Sequence, residues 1–349
     1  MHVPDGFINA PVSAVTGVVA AGAIAVSLRG ARRELDERTA PLAGLVAAFI
    51  FAVQMLNFPV AAGTSGHLLG GALAAILVGP YTGVLCVSVV LLMQGILFAD
   101  GGLTALGVNI TDMAIVTTVV SYALFRGLVK VLPRKRRSVT VASFVAALLS
   151  VPAAALAFTF IYAIGGTTDV AISKVATAMI GVHVLIGIGE ATITALTVGA
   201  VIAVRPDLVY GARGLQQRLK LRVHGELVDA PLAAAPVAAR SSHRKVWITG
   251  LVTSLVLAGF VSFYASASPD GLEKVAKDEG IDARTGKHAT EDSPLAGYGV
   301  KDVSDGRLSG GIAGVIGVGV TVVAGTGVFW AVRRRRTPDT SPTAVPEGV

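Results

Sequence analysis

Nine apolar stretches set against short polar segments leave this chain few ways to fold except through a lipid bilayer. They lie near 10–28, 41–57, 68–79, 81–98, 106–128, 139–164 and 175–204, then at 246–264 and 309–332. A bilayer core about 30 Å thick requires roughly 20 apolar residues per helix, and most of these stretches meet that length. The third is too short and is separated from the fourth by Gly79-Pro80, so it is expected to tilt, bend or cross only in part. Hydrophobic residues make up 53% of the 349 and charged residues 15%. The expected fold is an all-α integral membrane protein. Residues 1–204 form a seven-span bundle with one short span, and 245–336 a two-span hairpin. Residues 205–244, with the low-complexity run 230–236, read as a cytoplasmic linker, and 337–349 as a disordered tail.

Basic residues alternate with the spans. Segments 29–38, 126–137, 205–245 and 333–336 hold 22 of the 29 Lys and Arg residues. The opposite side has Lys174 and six in the 265–308 loop, where nine acids outnumber them. The positive-inside rule places the N-terminus outside and the C-terminus in the cytoplasm. The net charge of +7 therefore reflects topology and anionic lipid, not nucleic-acid binding. The first span has its positive charges behind it, at Arg29, Arg32 and Arg33, so it reads as an uncleaved segment and not as a signal peptide. The single cysteine, Cys86, allows neither a disulfide framework nor a thiolate cluster. No P-loop pattern occurs, so the chain is not expected to hydrolyse ATP itself.

On the expected outer side the chain opens Met1-His2. The Met1 amine, the His2 amide and the His2 imidazole can close a five- and a six-membered chelate ring around one ion. A fourth nitrogen would complete a square plane, the geometry that suits Ni(II) or Cu(II). Pro4 stiffens the chain behind the chelate. His67 ends a loop of turn formers on the same side and can supply that nitrogen; the alternative is an interfacial histidine packed at a helix end. Both imidazoles must be neutral to bind, so affinity is expected to fall below about pH 6.5. Asp112, His183 and Glu190 stand in apolar spans, where ionisable groups are uncommon. They read either as helix–helix hydrogen bonds or as groups supporting or coupling to the site. Gln54, Asn57 and Asn109 are candidates to hydrogen-bond to the ligands.

The opening Met1-His2-Val3-Pro4-Asp5-Gly6-Phe7-Ile8 resembles the start of the cobalt/nickel capture components of energy-coupling-factor transporters, the CbiM/NikM family. Gly66-His67-Leu68-Leu69-Gly70-Gly71 is similar to that family's second signature, and 105–109 and 187–191 are weaker echoes. Pro269-Asp270-Gly271-Leu272-Glu273 resembles the PDGLE motif of a two-span partner, here fused to the chain. The resemblance implies a non-enzymatic component that captures Co²⁺ or Ni²⁺ as transported substrate, with no resident cofactor. It also implies Met1, His2 and His67 as metal ligands. The implied partners are a transmembrane coupling protein and cytoplasmic ABC-type ATPases. The 265–308 loop would then be either a solvated connection or a lid over the site. The competing reading is a metal-gated channel or sensor that needs no ATPase; an intramembrane enzyme is weaker, since no HExxH motif occurs.

Overall fold

The computed structural model describes residues 1–35, 39–61, 63–215, 220–223, 226–229 and 243–334. Its helices are α1 (Ala10–Glu34), α2 (Thr39–Gln54), α3 (Gly71–Val78), α4 (Pro80–Met93), α5 (Leu106–Asn109), α6 (Thr117–Val131), α7 (Arg136–Gly165) and α8 (Ile172–Val204). The accessory part adds α9 (His243–Gly259), α10 (Gly271–Glu279) and α11 (Gly306–Arg334). A π segment at Gln94–Phe98 extends α4, and another at Ile110–Val116 joins α5 to α6. Among the described residues seven helical runs are long and apolar enough to cross a membrane. The protein is a multi-pass membrane protein.

The short third stretch becomes α3, eight residues and so about 12 Å long, which cannot span hydrocarbon. It is buried over its whole length and lies inside the bundle. Gly70 (φ +91) and Gly79 (φ +104) bound it in backbone conformations that favour glycine. Beyond Gly79, the buried Glu34 carboxylate accepts from Tyr81 N (3.2 Å), Thr82 N (2.7 Å) and Thr82 Oγ1 (2.8 Å). It satisfies the free amides that begin α4.

Helix α2 is only 16 residues long, yet most of it is buried. The accessory hairpin covers it, with α11 and α9 packed along its length. Small residues allow the approach: Gly44 faces Thr326 and Gly325, and Gly317 lies against Phe51 and Phe98. By contrast α1 shows Val15, Val18 and Val26 at its outer face, as a lipid-facing helix should. The expected linker begins later than its composition implies. Pro206–Leu208 and Tyr210–Leu215 are 3₁₀ turns, and Leu208, Val209 and Ala212 are buried against the body. Two strands, Lys220–Val223 and Glu226–Asp229, pair antiparallel beyond them. The run 230–236 and the tail 337–349 lie outside the described residues.

A second antiparallel pair, Phe58–Ala61 with Thr64–Gly66, leads directly into His67. The first nine residues form no helix and thread inward beside it. Val3 N donates to Asn109 Oδ1 (2.7 Å), Gly102 N donates to Val3 O (2.9 Å), and Ile8 bridges to Gly166. Val3, Phe7 and Ile8 are buried, so the N-terminus is anchored by both backbone pairing and apolar contact. Gly6 has φ +92, and the Arg284 carbonyl occupies the space of a side chain there. The N-terminal segment, the 58–67 hairpin, the 99–105 turn and the accessory loop therefore meet at one end of the bundle.

Candidate metal site

The sequence-predicted ligands converge at that end. The Met1 amine lies 2.5 Å from His67 Nε2, and the side chains of both are almost fully buried. His67 Nδ1 sits 3.0 Å from the Leu68 carbonyl, so Nδ1–H donates and Nε2 holds its lone pair toward the amine. Adjacent donors around an ion with metal–nitrogen bonds of about 2.0 Å stand roughly 2.8 Å apart, close to the observed spacing. The His2 and His67 ring centroids are 5.0 Å apart.

His2 departs from the simple chelate in one respect. Its Nδ1, the atom that would close the six-membered ring, is 2.6 Å from Asp100 Oδ1, while Nε2 has no partner. Forming the chelate requires this ring to rotate and exchange Asp100 for metal. Asp270 competes in the same way for the amine, 2.8 Å away, and lies 3.5 Å from His67 Nε2. Both contacts lead to the accessory part. Asp270 caps α10 through Oδ1, with Glu273 completing a capping box. Tyr298 donates to Asp100 Oδ2 at 2.5 Å, while Gln94 Nε2 donates to the Tyr298 hydroxyl.

The electrostatics keep both acids charged. Burial would raise Asp100, but the neighbouring His2 ring and the Tyr298 hydroxyl outweigh it and leave a pKa of about 2. Burial likewise opposes ionisation of Asp270, but the Met1 amine and His67 hold it well below the carboxylate range. Burial first, then the amine's charge, pushes His67 below its ordinary value. Its imidazole therefore stays neutral at lower pH than the sequence reading assumes.

The other polar candidates divide. Asn109 braces the N-terminal segment, its Nδ2 also donating to Val3 O (3.1 Å). Gln54 Nε2 donates to Leu69 O (3.0 Å), and Asn57 takes part through its carbonyl, which accepts from Ser266 N (2.7 Å). Glu190, fully buried, accepts from Leu69 N (2.5 Å) and Gly70 N (3.0 Å) and so fixes the segment that follows His67. Asp112 is buried without a partner for either oxygen and is not brought to the site by any described contact. His183 bonds within its own helix, Nδ1 to Met179 O at 2.7 Å, and its ring packs on Gly271 of the accessory part. His183→Ala is therefore expected to leave the nitrogen donors intact and to lower Ni²⁺ affinity by less than about tenfold, read by calorimetric titration. A larger loss would make this histidine part of the ligand set. Asp100 and Tyr298 escaped the sequence reading, and Asp270 entered it only within the PDGLE-like motif and as one of the nine acids of the 265–308 loop.

Known proteins share this architecture. A family model described as cobalt uptake substrate-specific transmembrane region matches residues 2–208. The chain belongs to that family, CbiM. A second model, the PDGLE domain, matches residues 244–334. This CbiM-family chain is 32% identical over 216 residues to a cobalt transport protein CbiM of Sorangium cellulosum, across 60% of this chain and 94% of that one. It is 42% identical over 125 residues to a fused nickel transport protein NikMN of Rhodobacter capsulatus, across 36% of each. A solved truncated transition metal transporter superposes with a TM-score of 0.53 at 27% identity, over 58% of this chain and 99% of that one. The CbiM-family member is thus a cobalt/nickel transport component with a PDGLE module fused behind it.

Proposed function

We propose that this chain is the substrate-capture component of an ATP-driven, energy-coupling-factor type uptake system for Co²⁺ or Ni²⁺. The cargo is held by four nitrogens: the Met1 amine, the His2 amide and imidazole, and His67 Nε2. The single observation that carries this reading is the 2.5 Å approach of the N-terminal amine to Nε2 of the buried His67, whose Nδ1 faces the Leu68 carbonyl. Among the described residues no three His, Cys, Asp or Glu side chains lie close enough to hold a metal. Main-chain nitrogen is what makes a complete donor set available.

In this reading the site opens at the extracytoplasmic face, which the placement of the basic segments on the opposite side supports. A transmembrane coupling protein and separate cytoplasmic ATPases supply the energy that turns the loaded body for release inward. The accessory hairpin acts as a lid. Binding of the ion replaces the amine–Asp270 and His2–Asp100 contacts with metal–nitrogen bonds, so loading is communicated to the hairpin through both arms. A square plane of nitrogens intrinsically favours Ni²⁺ over Co²⁺, and use of Co²⁺ then depends on supply or on partners.

X-ray absorption of the Ni²⁺-loaded protein is the direct test. The expected spectrum has four nitrogen donors and a square-planar edge feature. Oxygen or sulfur in the inner sphere would refute the donor set.

A further inference from the structure

The connection between α6 and α7 lies at the far end of the bundle from the ligands. Asn109 holds Val3 beside them, and the same helical run reaches Val131 roughly 30 Å further on. The connection gathers six cations, Arg126, Lys130, Arg134, Lys135, Arg136 and Arg137, and no acid occurs between Asp112 and Asp169. All six are exposed, and among the described residues none joins an ion pair or lies over an aromatic ring. The other basic segments answer part of their own charge. Segment 29–38 contains Glu34, Asp36 and Glu37, Arg205 reaches Asp207 at 2.7 Å, and Arg334 lies 3.6 Å over the Trp330 ring. Arg136 and Arg137 also open α7, with no side-chain cap at Lys135, and so set cations against the positive end of the helix dipole. Like charge packed in this way repels itself and calls for an anion from outside the chain.

The surroundings of the cluster say which anion. Val131, the last residue of α6, is 79% exposed, and the outward face of α7 runs on from Arg137 through Val141, Leu149, Leu156 and Phe160, all exposed. On α6 the outward face is Val119, Ala123 and Gly127, beside Arg126 and Lys130, and a Cβ added at Gly127 meets nothing within 4 Å. Its small residues leave a low surface where a hydrocarbon chain can lie. Cations at the head of two apolar helix faces match a molecule with a charged head and apolar tails. A soluble phosphate or an acidic protein segment uses only the charged half. We infer that the α6–α7 corner is a binding site for one anionic phospholipid. Its phosphate lies among the cations of 134–137, and its acyl chains follow the outward faces of α6 and α7, with the long Arg and Lys side chains reaching up to the headgroup. The bound lipid fixes the depth of this end of the body in the bilayer, a role separate from the capture of metal at the other end.

Titration of the full chain in non-ionic detergent with phosphatidylglycerol is the test, read by native mass spectrometry and by melting temperature. One tightly retained phosphatidylglycerol is expected, with phosphatidylcholine bound at least about tenfold more weakly. Arg134→Gln, Lys135→Gln, Arg136→Gln and Arg137→Gln together should remove that preference and the rise in melting temperature that the lipid gives. Arg134→Lys, Arg136→Lys and Arg137→Lys together should keep most of both, because it is the charge that attracts the head. Arg29→Gln with Arg33→Gln, exposed cations of the last turns of α1, should change neither. An equal loss in that control would show a diffuse surface field and overturn the site, as would undiminished retention in the four-glutamine variant. Glycerol phosphate at millimolar concentration is expected not to compete. Displacement of the lipid by it would mean that the acyl chains contribute nothing, and the lipid assignment would fall.

Discussion

A three-residue extension ahead of Met1 is expected to lower Ni²⁺ affinity at least ~1000-fold, on the order of 4 kcal/mol. The extension turns the Met1 amine into an amide whose lone pair is delocalised into the peptide bond, and it removes the five-membered ring that amine makes with the His2 amide. It leaves both imidazoles in place. The neighbouring cavity of about 500 Å³ gives the added residues somewhere to go, so the fold should survive. A single added residue is a weaker test. It would make the histidine third in the chain and offer one amine, two amides and one imidazole, a four-nitrogen set that does not need His67. Calorimetric titration of the purified protein provides the measurement, with thermal unfolding as the control. Unchanged affinity in a chain that melts normally would end the N-terminal chelate.

How much of this was readable beforehand depends on whether the relevant physics is local. Span lengths follow from bilayer thickness, so the long helices and the anomaly at 68–79 could be read directly. The meeting of Met1, His2 and His67 at one end was legible because two of them are adjacent and charge placement put the third on the same side. The burial of α2 was not, because nothing in 41–57 says that α11 and α9 will cover it. The contacts of Asp100 and Asp270 were hidden for a related reason. Each residue is one acid in a polar turn, and their significance comes from contacts made across 98 and 269 residues of chain. Burying Leu208, Val209 and Ala212 likewise depends on a surface supplied by distant helices. Glu190 stood out as an intramembrane acid, but its partners are backbone amides, which carry no signature in a sequence.

Glu190 therefore gives the second large expected effect. Its two oxygens receive the Leu69 and Gly70 amides, immediately ahead of α3 and within three residues of His67. An anion at a helix N-terminus is stabilised by the unpaired amides and by the helix dipole. In this buried setting no water stands ready to replace it. Glu190→Gln keeps the shape but offers one oxygen for two donors and turns an N–H₂ toward an N–H. The expected cost is about 2–3 kcal/mol of stability, the penalty for a buried donor left unmet. Glu190→Leu orphans both amides and should cost more. Because the same loop holds His67 in line with the amine, Ni²⁺ affinity should fall about 10- to 100-fold in the glutamine variant, as it does when a group orienting a metal ligand is lost. The pairing of the two losses matters. A lower melting temperature with intact Ni²⁺ affinity would make Glu190 a brace for α3 alone, whereas unchanged melting and unchanged affinity would mean the carboxylate does not hold this loop at all.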